Sequence, residues 1–197
     1  VTAPLRLMGA KIKARTVRTK GDKKEEFSPI VIKGGNLKAI DYRLPLASAQ
    51  VKSAIILAGL FTKGRSSVFE PVSTRDHTER ILRLFNADIK VRKNRVFIKG
   101  GKELTTPGRI YVPGDISSAS FFIVLATILP DSRIQIRNVS LNPSRTGIIR
   151  VLKRMGADIK VHSSQFTVHS NSEPRGDLIV KSSHLKKDNL KEPEGFD

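Results

Sequence analysis

One eight-residue phrase occurs three times in this sequence, and it limits the possible folds more than any other feature. The copies are LRLMGAKI at residues 5–12, LRLFNADI at 82–89 and LKRMGADI at 152–159. Each copy is followed by an apolar strand pattern, a turn and a second strand pattern. Such self-similarity indicates a supersecondary unit that is repeated along the chain.

The elements predicted around these copies form one repeating unit. The strands predicted after the three copies are residues 29–33, 95–99 and 165–169, each followed by a second strand at 39–43, 109–112 and 177–180. Almost wholly apolar helices are predicted at 48–61 and 117–129, and each leads to a short strand, at 66–70 and 133–137, and then to an amphipathic helix. The unit is therefore strand, helix, strand, helix, strand, strand (βαβαββ), with two complete copies and broken ones at either end.

This pattern predicts an α/β (α+β) fold in which sheets surround buried central helices. Residues 1–183 are predicted to form a single domain of about two and a half units, and residues 184–197 a polar tail or linker. The first copy of the phrase is preceded only by VTAP, whereas the other two end helices that start about eight residues earlier. We therefore expect the chain to be a piece of a longer protein.

The stretch LPLASAQVKSAIILAGLF at residues 44–61 predicts a helix inside a core, because almost no polar side remains after Val51. Its first turn differs, since Ser48 is a favourable N-cap residue and Gln50 is polar. Unpaired backbone N–H groups collect at a helix N-terminus and favour anions. Two interpretations stay open: Ser48 only caps the helix while Gln50 faces water, or both contact an anionic ligand.

A second polar helix start is predicted in VSTRDHTERIL, residues 72–82. Ser73 and Asp76 have the spacing of a capping box. Arg75 is predicted in the first turn, where a cation opposes the helix dipole by about 0.3–1 kcal/mol. Its guanidinium is suited to a bidentate grip on a carboxylate or phosphate, so we expect it to face an anion.

The third start, VPGDISSASFF at residues 112–122, carries Asp115, Ser117 and Ser118. The carboxylate of Asp115 would repel an anion, so capping is the favoured interpretation. If the three repeat-related starts point the same way, they form one anion-binding face. This face is a hypothesis from the repeat.

The charge balance of the chain indicates anionic partners. Its 197 residues include 36 Lys and Arg against 18 Asp and Glu, a net charge of +18. Nucleic acid, an acidic membrane surface and small phosphorylated or carboxylated substrates would all be attracted. Between residues 11 and 24, KIKARTVRTKGDKK predicts an exposed basic hairpin or loop, either merely solvated or in contact with nucleic acid.

The residue inventory excludes several classes of chemistry. No cysteine is present, which removes disulfides, thiolate catalysis and Cys-based zinc sites. The four histidines show no metal-ligand spacing, so no metal site is predicted. The longest nearly apolar run, residues 121–130, is shorter than the ~18 residues that a membrane span needs, and we expect a cytoplasmic protein.

The chain resembles the 5-enolpyruvylshikimate-3-phosphate (EPSP) synthase family in five phrases. They are PLRLMGAKI, LPLASAQVKSAIILAGL, STRDHTERIL, VPGDISSASFF and RTGIIRVLKRMGADI, in family order and within residues 4–183. The resemblance implies a two-domain enzyme of six βαβαββ units, three per domain, which is the inside-out α/β barrel of enolpyruvyl transferases. Its substrates would lie in the cleft between the domains, and this chain would be most of the domain that holds shikimate 3-phosphate.

The resemblance also implies an activity in the shikimate pathway of aromatic amino acid biosynthesis. The 5-hydroxyl of shikimate 3-phosphate attacks C2 of phosphoenolpyruvate, and phosphate is then lost. Ser48, Ala49 and Gln50 match residues that lie at shikimate 3-phosphate, and the glutamine also reaches phosphoenolpyruvate. Arg75 matches an arginine that contacts the shikimate side, and Ser73 lies where a neighbouring hydroxyl can assist. No metal and no organic cofactor are expected.

Parts of the family pattern are absent from the chain. The family's N-terminal motifs would lie before Val1, and its catalytic aspartate, lysine and glutamate after Asp197. No catalytic residue is therefore expected here, and the chain alone is expected to lack activity. Its expected partners are the two anionic substrates and the second domain of the same polypeptide. The complete protein is expected to be a monomer that binds neither membrane nor nucleic acid.

Two alternatives stay open beside this resemblance. UDP-N-acetylglucosamine enolpyruvyl transferases share the fold and the phosphoenolpyruvate chemistry, but they usually carry a reactive cysteine in the corresponding domain, and this chain has none. A basic nucleic-acid-binding module related to RNA 3′-phosphate cyclases would also explain the charge. Against it, the aromatic content is only 6% and Lys and Arg are scattered evenly.

Overall fold

The computed structural model describes residues 1–18, 24–163 and 173–187. The helices in these ranges are α1 (Thr2–Leu7), α2 (Ala49–Gly59), α3 (His77–Leu84), α4 (Ile116–Ile128) and α5 (Gly147–Arg154). The strands are β1 (Lys11–Arg18), β2 (Lys24–Lys33), β3 (Asp41–Arg43), β4 (Arg65–Phe69), β5 (Asp88–Arg92), β6 (Arg95–Lys99), β7 (Arg133–Ser140), β8 (Asp158–Ser163) and β9 (Arg175–Lys181). The mixture of helices and sheets confirms the predicted α/β class.

The chain divides into two compact units. The first comprises Val1–Thr74 and Asn86–Leu104, and the second comprises Arg75–Phe85 and Thr105–Asp197. Helix α3 therefore belongs to the second unit although strands of the first unit flank it in the chain. The prediction of a single domain over residues 1–183, with a tail at 184–197, stays a prediction.

The predicted βαβαββ unit is present in the order of the elements. One complete copy runs β3, α2, β4, α3, β5, β6, and a second runs α4, β7, α5, β8, β9 without a leading strand. In the first unit the sheet order is β3-β4-β6-β5, with β3 parallel to β4 and the other neighbours antiparallel. In the second unit the sheet order is β7-β9-β8, which repeats the order β4-β6-β5 of the first unit.

The leading strand predicted at residues 109–112 is wrong. The described structure has no strand there, and only an isolated parallel bridge joins Gly114 to Val139 of β7. In the repeat, this bridge is equivalent to the parallel pairing of β3 with β4 in the first copy. Proline residues at 107 and 113 flank the segment, and proline cannot donate to a strand ladder. The apolar side chains alone were therefore insufficient to make a strand.

The repeated phrase is the end of a helix followed by a left-handed turn. Gly9, Asn86 and Gly156 occupy the same position in the three copies and have φ values of 100°, 60° and 97°. In the third copy Ala157 N donates to Leu152 O at 2.9 Å, which closes the helix end. Glycine and asparagine are the residues that adopt this conformation at least cost, which explains their place in the phrase.

Helix α2 is buried on one side only. Ile55 and Ile56 are buried and α2 contacts β4 and β6 of the sheet. A Cβ atom at Gly59 would lie 2.5 Å from Ile98 Cγ2, so the absence of a side chain allows helix and strand to approach. Leu57 and Phe61, however, are 47% and 81% exposed. The prediction of a helix holds, whereas the prediction that it lies wholly in a core is wrong for this face.

Helix α4 repeats this one-sided burial in the second unit. Ile116 and Ile123 are buried in its hydrophobic core, which also includes residues of α5, β7, β8 and β9. Phe121 and Phe122, in contrast, are 77% and 62% exposed. The physical reason is that one sheet covers only one side of a helix lying on it.

The basic segment at residues 11–24 contributes to an antiparallel hairpin. Strands β1 and β2 pair from Lys11 opposite Lys33 to Arg18 opposite Lys24, with an irregularity after Ala14. The hairpin alternative is thus confirmed for the described residues, and its role stays open. The strand predicted at 165–169 and the last ten residues of the predicted tail lie outside the described residues.

Candidate functional site

The start of α2 has the geometry predicted for a capped helix. Ser48 has an extended backbone (φ −148°, ψ 106°), and its Oγ accepts from Val51 N at 3.4 Å. Lys52 N donates to Ser48 O at 3.0 Å, which is the first bond of the helical ladder. Ala49 is half-buried and Gln50 is exposed. Capping by Ser48 is confirmed, and anion binding at this end stays a prediction.

A buried ion pair lies directly behind this turn. Lys52 Nζ is 3.0 Å from Glu70 Oε2, and the two side chains are only 1% and 5% exposed. Sequence reasoning missed this pair. A signal was available, because a lysine in a helix predicted to be buried needs a carboxylate partner.

The segment that follows β4 does not form the predicted capping box. Ser73 Oγ donates to Asn94 Oδ1 at 3.2 Å, and Thr74 Oγ1 donates to the Glu70 carboxylate. Helix α3 begins only at His77, so Ser73 is too far upstream to cap it. The prediction was wrong because two side chains outside the helix, Asn94 and Glu70, bind these hydroxyls instead.

Arg75 lies outside the first turn of α3. The N-cap residue is Asp76, whose side chain makes no capping bond and instead binds Arg80 Nε at 2.8 Å. Arg75 precedes this cap and is exposed. The prediction that the charge of Arg75 opposes the helix dipole from within the first turn is therefore wrong. The Arg75 side chain is nevertheless exposed and available to a ligand.

Four of the five predicted site residues lie in the first unit, namely Ser48, Ala49, Gln50 and Ser73. The turn that holds the first three and the segment that holds Ser73 share a partner, since Glu70 binds both Lys52 and Thr74. Arg75 opens the second unit. A common hollow for Arg75 and the start of α2 stays a prediction.

The second unit contains a cavity of about 600 Å³ that the sequence did not predict. The residues that begin α3 and α4 both line it, including His77, Thr78, Asp115 and Ile116. Two of the three predicted helix starts thus border one cavity. Of the residues described as lining it, none belongs to the five predicted site residues.

A polar network adjoins this cavity, and its centre is the buried amide of Asn142, which is 1% exposed. Asn142 Nδ2 donates to Asp76 Oδ1 at 2.8 Å and to Glu173 Oε2 at 3.2 Å. His77 Nδ1 lies 3.2 Å from Glu173 Oε2. Burial raises the pKa of Asp76, but hydrogen bonds from Arg80 and Asn142 outweigh it, and the net pKa is lowered.

The start of α4 is capped by an acid, as predicted. Asp115 Oδ1 accepts from Ser117 N at 3.1 Å, and Ser118 Oγ donates to Asp115 Oδ2 at 3.3 Å. Arg145 Nη2 lies 3.1 Å from Asp115 Oδ1. The Ser117 N–H is the main cause that holds the pKa of Asp115 below its usual range. The arginine next to this carboxylate was not predicted.

No group of three or more His, Asp or Glu side chains within the described ranges is arranged to hold a metal ion. Within the same ranges, no helix is both long enough and apolar enough to cross a membrane.

Solved structures with this architecture define the class of protein. Residues covering 92% of this chain superpose on the enolpyruvyl transferase NikO of Streptomyces tendae with a TM-score of 0.62, at 15% identity and over 41% of that chain. EPSP synthase of Acinetobacter baumannii superposes with a TM-score of 0.78 at 45% identity, over 95% of this chain and 40% of that one. The fold is therefore that of the enolpyruvyl transferases.

The family follows from the sequence comparisons. The family EPSP synthase (3-phosphoshikimate 1-carboxyvinyltransferase) matches residues 1–186. The 3-phosphoshikimate 1-carboxyvinyltransferase of Bacillus licheniformis is 48% identical over 186 residues, which are 94% of this chain and 41% of that protein. The enzyme of the same name from Geobacillus thermodenitrificans is 50% identical over 185 residues, or 94% and 40%. The chain belongs to the EPSP synthase family and spans about 40% of the length of these curated relatives.

Proposed function

We propose that this chain is part of a 3-phosphoshikimate 1-carboxyvinyltransferase, which transfers the enolpyruvyl group of phosphoenolpyruvate to the 5-hydroxyl of shikimate 3-phosphate. The observation that carries the proposal is the family match over residues 1–186, with curated relatives of that name at 48–50% identity. The transfer itself is a property of a whole enzyme, and the part proposed for this chain is substrate binding.

The proposed binding element is the start of α2. Ser48 and Gln50 would bind shikimate 3-phosphate, with Ala49 between them at the substrate. The first backbone N–H groups of an α-helix have no partner within the helix, and the dipole adds positive potential there. The exposed side chain of Gln50 supports this role, because it is accessible beside those N–H groups.

Ser73 and Arg75 are proposed to complete the site. Both are exposed. A guanidinium can bind a carboxylate or phosphate through two parallel hydrogen bonds, each stronger than a neutral bond. Arg75 would therefore contribute most of the charge complementarity, and Ser73 a hydroxyl that assists.

The net charge of +18 supports anionic substrates in general. The second domain of the same polypeptide is the proposed partner, and it would supply the catalytic acid and base groups. A monomeric state, a cytoplasmic location and independence from cofactors stay predictions.

The proposal is tested by titrating the ¹⁵N-labelled 197-residue chain with shikimate 3-phosphate and following backbone amide shifts. The wild-type amides at the start of α2 should shift. Gln50→Ala and Arg75→Ala should each abolish the response with the rest of the spectrum unchanged. Matched controls are Gln135→Ala and Arg92→Ala, at exposed positions outside the proposed site, which should bind as the wild type does.

A parallel titration with inorganic phosphate distinguishes recognition of the sugar acid from general anion binding. Equal shifts with both ligands, or unaltered binding in Gln50→Ala and Arg75→Ala, would contradict the proposed site.

A further inference from the structure

We infer that the buried ion pair of Lys52 and Glu70, together with Thr74, positions the two parts of the shikimate 3-phosphate site in the first unit. None of the three is proposed to touch the substrate. They hold the start of α2 and the segment after β4 in one relative geometry. The inference rests on the proposed function, because the site that is positioned is the proposed one.

Burying this ion pair costs free energy. Lys52 Nζ and Glu70 Oε2 are 3.0 Å apart, with side chains 1% and 5% exposed. Two charges removed from water lose hydration that their mutual attraction repays only with good geometry and further hydrogen bonds. Well-packed apolar residues often stabilise a core equally well. Stability alone therefore does not explain why the pair is present. The hydrogen bonds that the two residues make to neighbouring segments suggest a positioning role.

On one side the pair is attached to the start of α2. Lys52 N donates to Ser48 O at 3.0 Å, so Lys52 lies one turn after the N-cap. The same turn holds Ser48 Oγ against Val51 N at 3.4 Å. Because this turn is part of the helical ladder, its position follows that of the Lys52 side chain.

On the other side the pair is attached to the segment that carries Ser73. Glu70 Oε2 binds Lys52, while Glu70 Oε1 accepts from Thr74 Oγ1. Glu70 N donates to Asn94 O at 2.8 Å, and Ser73 Oγ donates to Asn94 Oδ1 at 3.2 Å. The two oxygens of one carboxylate thus join the helix turn to the loop, and Asn94 fixes the loop from the strand turn between β5 and β6.

Thr74→Val tests the positioning role directly. It removes the hydroxyl that joins the loop to Glu70 and keeps the shape of the side chain. We expect shikimate 3-phosphate to bind about tenfold more weakly, because binding must then also order the loop that Thr74 no longer holds. Thr74→Ser keeps the hydroxyl and should restore wild-type affinity. In the free protein, the backbone amides of Val51 and Lys52 at the start of α2, which are distant from Thr74 in the chain, should shift in Thr74→Val and not in Thr74→Ser.

A matched control separates positioning from stability. Thr62 lies in the same unit as the half-buried Thr74 and is itself buried, and its Oγ1 donates to Gly59 O at 2.9 Å. Thr62→Val should lower stability to an extent similar to Thr74→Val and leave the affinity unchanged. If both variants weaken binding equally, the effect is one of stability and the inference is overturned.

A second variant replaces both members of the ion pair together. Lys52→Met with Glu70→Met replaces both partners by flexible apolar side chains, which should keep the fold. This double variant should also bind about tenfold more weakly, and adding Thr74→Val to it should weaken binding no further, because the acceptor is already gone. Additive losses would overturn the inference.

The titrations also separate this inference from the proposed function. A wild-type chain that does not respond to shikimate 3-phosphate would overturn both. A wild-type response that Gln50→Ala abolishes and Thr74→Val leaves unchanged would overturn the positioning role alone.

Discussion

The amide of Asn142 donates a hydrogen bond to Asp76 Oδ1 over 2.8 Å, between residues 66 positions apart in the chain. The same amide reaches Glu173 Oε2 at 3.2 Å. One buried side chain therefore joins the residue before α3 to two distant segments of the second unit. Its removal would take one hydrogen-bond donor from each of two carboxylates, while Arg80 would still bind Asp76 and Ser140 would still bind Glu173.

Asn142→Ala should destabilise the second unit. Each of the two carboxylates loses one hydrogen bond, and hydrogen bonds to charged groups contribute more than neutral ones, so the free energy of unfolding should fall by about 2–3 kcal/mol. Urea denaturation monitored by circular dichroism measures the change. Asn36→Ala, at an exposed asparagine, is the control and should change stability by less than about 0.5 kcal/mol. Equal effects at the two positions would show that Asn142 carries no special role.

Stability should depend on pH through Asp76. Its pKa in the folded protein is lowered overall, because hydrogen bonds from Arg80 and Asn142 outweigh the opposing effect of burial. A lowered folded pKa gives a stabilising contribution that is complete above the unfolded value of about 4 and is lost as pH falls through the folded value. The stability difference between wild type and Asp76→Asn should therefore be largest at neutral pH and shrink below about pH 4. Denaturation at pH 7, 5 and 3 measures it, and a difference that grows on acidification would contradict the assignment.

Gly156→Ala tests the turn within the repeated phrase. Gly156 has φ 97°, and a Cβ there would meet only His184 O at 3.6 Å, so the cost is conformational and not steric. We expect a loss of about 1–2 kcal/mol. Gly147→Ala is the matched control, because Gly147 is the first residue of α5 and its Cβ would meet nothing within 4 Å. It should be neutral or stabilising by up to about 1 kcal/mol. Thermal denaturation of both variants gives the comparison.

Asp115→Ala should lower the melting temperature by removing the acceptor for Ser117 N and the partner of Arg145. Asp115→Ser keeps one capping oxygen and loses the charge and the acceptor for Ser118 Oγ, so it should retain part of the stability. Thermal melts at low and high salt separate the two contributions, since salt screens only the ion pair. If both variants melt together at every salt concentration, capping is not what Asp115 provides.

The sequence predicted most of the element order correctly, but the strand that it predicted at residues 109–112 is not formed. The capped start of α2, the acid cap of α4 and the hairpin alternative for the basic segment are all present. The failed strand and the failed capping box at Ser73 have different causes. Prolines at 107 and 113 flank the predicted strand, whereas Ser73 binds the distant side chain of Asn94 and does not cap the helix.

Local features could be read from the amino-acid order because they depend on residues a few positions apart. The left-handed turns at Gly9, Asn86 and Gly156 and the cap at Ser48 belong to this class. The family phrases are of the same kind, since they are short stretches of consecutive residues. Contacts between distant residues were beyond such reasoning. The pairing of Lys52 with Glu70 required the packed fold, because it arises where a helix and a strand end meet in space.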